Sequence, residues 1–357
     1  MLIARAPVRV SFFGGGTDLP AYFNEFGGAV LSVTLDKYVY AILSVSQSHP
    51  LQITSSDYRT FYRHPRGEPL LWEGDLSLPR AVFQHLGIED GVSVFLASEV
   101  PPGTGLGSSS SVTVALAKAI TVACGLHLSR AELAALACEI ELERLHMPIG
   151  VQDQYASASG GFNWISFNQR GIRVEPLILA PEIVARLESN LLLIFTGSAR
   201  NSADILSRQQ RSSAARDATV IEALHAAREL AARGRALLLR GDLDHFGLLL
   251  DEAWRAKKRF AQGITNEQID RLYATALANG ALGGKVAGAG GGGFLMLYCE
   301  DGSAGRVEAA LREIGDYRRM EYMFEYDGAR VLFNAGLRLS LAEKEPVTWQ
   351  PNAHTLH

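Results

Sequence analysis

The chain has 357 residues, is 47% hydrophobic and 20% charged, and carries a formal net charge of −4. That composition is globular, long enough for one large or two ordinary domains, and gives no electrostatic basis for binding nucleic acid or an anionic membrane. Its three cysteines, Cys124, Cys138 and Cys299, lie in apolar or helical contexts and read as reduced core thiols of a cytoplasmic protein rather than a disulfide framework.

The N-terminal stretch MLIARAPVRVSFFGGG is apolar, but it holds Arg5 and Arg9 and no cleavable hydrophobic region, so it does not read as a signal peptide. No apolar run reaches the roughly 18 residues of a membrane span. A strand is expected over 8–13, then a glycine turn, then strands at 30–33 and 38–45. Residues 51–75 are polar and turn-rich and suggest a short hairpin. A helix is expected at 78–87, a strand at 92–97 and a mostly apolar, buried helix over about 110–123. Ser129 and Glu132 form a capping box that opens a helix ending before Pro148. Segment 150–167 reads as loop, short helix and strand, and 191–196 as an apolar strand. Long helices follow at roughly 203–239, 242–261 and 266–279. A glycine-rich link, a strand at 293–298, a helix at 303–314 and closing strands near 318–340 complete the pattern. The shift in character near 170–190 divides the chain into a domain over 1–180, a second over 181–345 and a tail over 346–357.

The most informative segment is VPPGTGLGSSSS, positions 100–111, between a strand and a helix. Gly103, Gly105 and Gly107 leave the backbone bare where it would wrap an anion, and N–H groups entering a helix N-terminus suit phosphate. Ser108, Ser109, Ser110 and Ser111 add hydroxyls fit for Mg²⁺ on a phosphate chain. No Lys follows the glycines as a P-loop requires, and Ser108 stands where a dinucleotide fingerprint needs its third glycine. Upstream, Gly14, Gly15 and Gly16 precede Thr17 and Asp18, a hydroxyl and a carboxylate able to bind a sugar. Glu139, Glu141 and Glu143 alternate on one helix, so at most one or two of them can face a site. In Gly150-Val151-Gln152-Asp153-Gln154 the Asp follows a glycine turn near a helix start and could accept a hydroxyl proton. The segment GGKVAGAGGGGF has seven glycines between Gly283 and Gly293, which suggests close backbone approach to a ligand or loop. Arg200, with Ser198 and Ser202, could grip a second anion. The basic run Arg255–Arg259 reads as a solvated helix face, and the histidines are scattered without metal-ligand spacing.

Pro102 through Ser109 matches the P-x-x-G-L-x-S-S motif, and the chain resembles the galactokinase, homoserine kinase, mevalonate kinase and phosphomevalonate kinase superfamily, the GHMP kinases. APVRVSFFGGGTD has the frame of the galactokinase A-P-G-R-V-N-L-I-G-E-H-T-D, with Gly15-Gly16 replacing the Glu-His pair. The resemblance implies an α+β, two-domain fold with the active site in the cleft between the domains. It implies ATP and Mg²⁺ as cofactors, with the ATP phosphates on Gly103, Thr104, Gly105, Leu106, Gly107, Ser108, Ser109 and Ser110. It assigns Asp153 and Arg9 as catalytic, Ser109 and Glu141 as Mg²⁺ ligands, and Gly15, Gly16, Thr17, Asp18, Gln154, Arg200, Gly290 and Gly291 to the substrate. Within the superfamily the motifs look most like D-glycero-α-D-manno-heptose 7-phosphate kinases, which phosphorylate the anomeric hydroxyl on the way to nucleotide-activated heptose for surface polysaccharides. The alternatives are a free-sugar 1-kinase similar to L-fucokinase or galactokinase and, more distantly, an NAD(P) dehydrogenase or a non-catalytic sugar sensor. The expected partner is a small sugar phosphate, with neither nucleic acid nor membrane; the oligomeric state stays open, a homodimer being one option.

Overall fold

A computed structural model describes residues 1–45, 51–57, 59–65, 68–74, 76–88, 91–197 and 202–340. The first strand, β1 (Leu2–Phe13), is buried along almost its whole length, which is why its residues are apolar at nearly every position rather than at every second one. It is followed by α1 (Pro20–Phe26) and an 18-residue strand, β2 (Gly28–Val45). Then come β3 (Leu51–Ser55), β4 (Thr60–Arg63), α2 (Ser77–His85) and β5 (Val92–Ser98). Three helical pieces follow: α3 (Ser108–Ala123), α4 (Arg130–Cys138), which runs into a π-helical turn at Glu139–Arg144, and α5 (Gln152–Ser159). The capping box forms as the sequence predicts, with Glu132 N donating to Ser129 Oγ and Ser129 N to Glu132 Oε2. Strands β6 (Phe162–Asn168) and β7 (Gly171–Pro176) close this half.

The second half begins with α6 (Pro181–Asn190) and β8 (Leu191–Phe195). The single long helix expected from 203 is two, α7 (Ser202–Ala214) and α8 (Ala218–Arg240). Arg216 in the left-handed region breaks the chain there, and Asp217 caps the new N-terminus by accepting from Thr219 N and Val220 N. Helices α9 (Leu243–Lys257) and α10 (Glu267–Ala278) precede β9 (Ala281–Val286), β10 (Phe294–Cys299) and α11 (Ala304–Glu313). The stretch Ala281–Val286, read from sequence as part of a glycine-rich link, is thus a strand, paired with β10 from Leu295↔Val286 to Cys299↔Ala281. The last strands are β11 (Arg318–Arg319) and β12 (Arg330–Asn334).

These strands make two sheets. The larger has eight, in the order β12-β1-β2-β5-β3-β4, with β6 pairing the first part of β2 and β7 lying outside β6. The smaller, ordered β11-β8-β10-β9, belongs to the second half. Strand β12 pairs antiparallel with β1, so the chain returns to the first sheet at its end. The contiguous second domain expected over 181–345 is therefore corrected: residues 330–334 belong to the first sheet. Sequence patterning marks a strand but not its partner, and β12 is only five residues long.

Strand β1 serves two cores. Leu2, Ala4 and Ala6 pack with Val114 and Ile120 of α3, whereas Val8, Val10 and Phe12 pack with Phe246 and Leu250 of α9. One strand thus joins the two halves. Its ladder to β2 shifts register between Pro7 and Arg9, where Pro7 has no N–H to give. The Arg9 N–H instead donates to Leu106 O at 2.9 Å, in the loop between β5 and α3.

Candidate active site

That interruption in β1 builds the centre of the cleft. The guanidinium of Arg9, 4% exposed, reaches the same loop through Nη1 to Gly105 O at 2.7 Å. Its Nε donates to Asp153 Oδ1 at 2.7 Å. Asp153 lies in the first turn of α5, where the helix dipole favours a carboxylate. With Oδ1 engaged by Arg9, Oδ2 stands beside Gly107: a Cβ at Gly107 would lie 3.1 Å from it. Gly107 is also the N-cap of α3, with φ of +75°, so a side chain there is opposed by backbone conformation and by space alike.

The first turn of α3 is defined by what it omits. It has no side-chain cap and no acidic residue of its own, so its first-turn N–H groups are not satisfied by a capping side chain. Ser108 and Ser110 are buried there, and Ser109 is exposed. Among the three alternating glutamates, Glu141 is fully buried, Glu139 half-buried and Glu143 exposed. Glu141 Oε2 accepts from Ser110 Oγ at 2.8 Å and Gln154 Nε2 at 2.6 Å, and Oε1 accepts from Thr113 Oγ1. Burial pushes the Glu141 carboxyl up to about 7, against the pull of those three donors and aided by the charge of Asp153. The hydroxyl touching Glu141 is Ser110, whereas Ser109, expected with Glu141 as a Mg²⁺ ligand, is exposed. Residues 109 and 110 of a helix point about 100° apart, and 110 is the one turned inward.

Asp18, 3% exposed, completes a second carboxylate beside the first. Oδ1 accepts from Gly16 N at 2.8 Å and Oδ2 from Gln152 N at 3.3 Å. Burial above all, and then the charge of Asp153, raise its carboxyl above the ordinary range.

Four residues expected at the substrate make contacts within the protein itself. Thr17 is fully buried, and its hydroxyl staples the turn to the chain at Gly14 O (2.7 Å) and Ala29 O (3.0 Å). Gln154 is also fully buried and spends its Nε2 on Glu141, because the residue after Asp153 on α5 points into the core. Gly290 and Gly291 meet the backbone of Ile264, with Gly291 N donating to Ile264 O at 2.7 Å. It is Ala287, Gly288 and Gly293 of that segment that reach the phosphate loop, at Gly105 and Thr104. Phe294 N donates to Thr104 O at 3.1 Å. Gly15 does border the cleft, beside Ser11 and Gln152, and Gly16 abuts Gln209, Leu224 and Phe260. Arg200 and Ser198 lie outside the described residues.

Two lysines escape the sequence motifs. Lys257, within the basic run that reads as a solvated face, is 8% exposed and donates to Val286 O at 2.8 Å and to Gly288 O. Lys285, the residue after the first glycine pair of the third motif, is 5% exposed and donates to Phe12 O at 3.0 Å, linking β9 to β1 across the cleft. Burial, with the Arg9 charge second, lowers the Lys285 ammonium to about 7. Burial and then Lys285 push Lys257 well below the ordinary lysine range. Only spacing could have flagged them: Lys257 falls with the buried Leu250, Ala253 and Trp254 on the inner face of α9. Among the described residues no group of three or more His, Cys, Asp or Glu is arranged to hold a metal, and no helix is long and apolar enough to cross a membrane.

Known proteins resemble this chain over most of its length. Residues 77–161 match the family model described as GHMP kinases N terminal domain, and residues 235–316 match GHMP kinases C terminal. A D-glycero-alpha-D-manno-heptose 7-phosphate kinase from Campylobacter jejuni is 31% identical over 333 residues, covering 91% of this chain and 97% of that protein. A bifunctional fucokinase/GDP-fucose pyrophosphorylase from Arabidopsis thaliana is 28% identical over 83% of this chain, which spans 29% of that longer protein. The crystal structure of a D-glycero-D-manno-heptose 1-phosphate kinase from Bacteroides thetaiotaomicron superposes with a TM-score of 0.79 at 29% identity, covering 94% of this chain and 99% of its own.

Proposed function

The chain belongs to the GHMP kinases, and from that premise we propose that it transfers the γ-phosphoryl group of ATP to the anomeric hydroxyl of a heptose 7-phosphate, giving the 1,7-bisphosphate. One observation carries the reading: Arg9, Asp153 and the uncapped N-terminus of α3 meet at Gly107. The loop 103–110 holds the phosphates of ATP against the first-turn amides of α3. Asp153 keeps Oδ1 on Arg9 and turns Oδ2 to the sugar hydroxyl, whose proton it accepts or orients as O1 attacks in line. Arg9 orients that carboxylate and offsets charge that develops beside it. Asp18 accepts hydrogen bonds from sugar hydroxyls in the turn after β1.

Ser110 and Glu141, joined by a hydrogen bond, and the exposed Ser109 beside them are oxygen donors of the kind that would suit a hard divalent cation. Mg²⁺ bound there supplies charge neutralisation on the phosphate oxygens. Gln154 and Thr113 orient Glu141 for that task.

The two heptose kinases above differ in name over which position already carries phosphate. A panel of heptose 7-phosphate, heptose 1-phosphate, free heptose, L-fucose and galactose, each with ATP and Mg²⁺ and followed by ³¹P NMR, decides the matter. A new anomeric phosphate on the 7-phosphate is expected. Turnover of free sugars only would move the protein to a free-sugar 1-kinase, and no turnover of any would defeat the proposal.

A further inference from the structure

The buried polar side chains around the glycine turn do not all find partners within the protein. Ser11 Oγ, Gln152 Oε1 and Gln209 Nε2 are each buried and without a hydrogen-bond partner among the described residues. Their residues are 8%, 8% and 4% exposed. Ser11 Oγ and the amide nitrogen of Gln152 border Gly15, and Gln209 borders the next residue, Gly16. A Cβ at Gly15 would lie 3.4 Å from Ser11 Oγ and 3.5 Å from Gln152 Nε2. A Cβ at Gly16 would lie 2.6 Å from Gln209 Nε2, 3.0 Å from Phe260 and 3.2 Å from Leu224.

Gln209 differs from the other two in origin. Ser11 is on β1 and Gln152 opens α5, both on the side of the cleft that carries Asp153. Gln209 is on α7, in the other half of the chain. It therefore reaches the glycine turn from a distant element, and it does so only because Gly16 has no side chain in its way. A buried amide left unpaired is costly, and native proteins keep such groups where a ligand or ordered solvent satisfies them. The neighbouring carboxylate of Asp18 can only accept hydrogen bonds, so it reads hydroxyl protons; an amide Nε2 donates, so it reads an oxygen. The two kinds of partner are what a polyhydroxylated, phosphorylated sugar offers on one edge.

We infer that Gln209 is a substrate-reading residue, which donates from the second half of the chain, beside Gly16, to an acceptor oxygen of the bound sugar phosphate. The inference rests on the kinase reading above for the class of substrate. Its acceptor is either a ring hydroxyl oxygen or an oxygen of the distal phosphate, and comparing free heptose with heptose 7-phosphate separates these.

The variants are Gln209→Leu, which keeps volume and removes the amide, and Gln209→Glu, which replaces the donor with an acceptor. For heptose 7-phosphate, Gln209→Leu should raise KM about tenfold, the equivalent of one hydrogen bond of ordinary strength, with kcat changing far less. Gln209→Glu should raise it further. The ligand-free Gln209→Leu protein should melt no lower than wild type, since an unpaired buried amide has been removed; a purely structural glutamine would lower it. An equal penalty on free heptose and heptose 7-phosphate assigns the acceptor to a hydroxyl, and a penalty confined to the latter assigns it to the phosphate. Calorimetric titration of the ATP-free protein with heptose 7-phosphate reads the same contact without turnover. Binding and KM within twofold of wild type in folded Gln209→Leu overturn the inference. Wild-type protein that binds heptose 7-phosphate but phosphorylates none of the sugars overturns the kinase reading instead.

Discussion

Replacing Glu141 with Gln should stabilise the metal-free protein at alkaline pH while abolishing its chemistry. The carboxyl is fully buried, and its folded-state pKa of about 7 stands against an ordinary value of 4.5. Between those values the folded protein holds a proton that the unfolded chain has released, so this group's contribution to stability falls as pH rises across that window and stays at its lowest above 7. A difference of 2.5 units at about 1.4 kcal/mol each is on the order of 3 kcal/mol. Gln cannot ionise and avoids that cost. Its carbonyl can face the Ser110 and Gln154 donors, and its NH₂ can donate to Thr113 Oγ1, a hydroxyl able to accept. For a chain of this size the gain corresponds to roughly 4 °C in melting temperature. The assay is thermal unfolding of wild type and Glu141→Gln in metal-free buffer from pH 4.5 to 8.5. The two curves should coincide at the acid end and separate up to about pH 7, with the variant above. A gap that does not change with pH, or a variant that melts below wild type at pH 8, would refute burial as the source of the raised carboxyl. The same variant should lose the stabilisation that Mg²⁺ with ATP gives wild type.

Three further outcomes follow from the geometry. Asp153→Asn should lower kcat by roughly 100-fold or more with ATP affinity intact, the usual scale for a lost general base; single-turnover kinetics in which the folded variant matches wild type would remove Asp153 from the reaction. Gly107→Ala and Gly125→Ala share a φ of +75° and hence a similar backbone cost of about 1–2 kcal/mol. Only the first places a Cβ beside Asp153, and the other meets nothing within 4 Å, so both should melt lower but only Gly107→Ala should lose turnover. Lys257→Met should raise the KM for ATP about tenfold, on the scale of a charged hydrogen bond, because the ammonium holds Val286 O and Gly288 O in the segment that packs on Gly105; an unchanged KM in a folded variant would leave that loop held by backbone packing alone.

Much of the site was legible in sequence because it depends on local chemistry. Glycines before a serine-rich helix start, an Asp after a glycine turn and one Glu among three are features of short segments, and the fold brings Asp153 beside Gly107 and Glu141 beside Ser110. The strands and helices with strong periodicity were equally legible. What the sequence did not carry is which side of an element faces which neighbour once distant segments meet. Thr17 and Gln154 have the polarity of ligands but are consumed by Ala29 and Glu141. Ser110 rather than Ser109 faces Glu141, a choice made by helix phase. Lys257 and Lys285 look like surface charges until α9 and β9 close over them, and Gln209 has no sequence signature at all. Its place beside Gly16 comes from the packing of α7 on the glycine turn, a contact between residues 193 positions apart. Local composition fixes what a segment can bind or cap. Only packing decides whether its polar groups are spent on the protein itself or left free, because each buried donor and acceptor is satisfied by whichever partner the fold brings within about 3 Å.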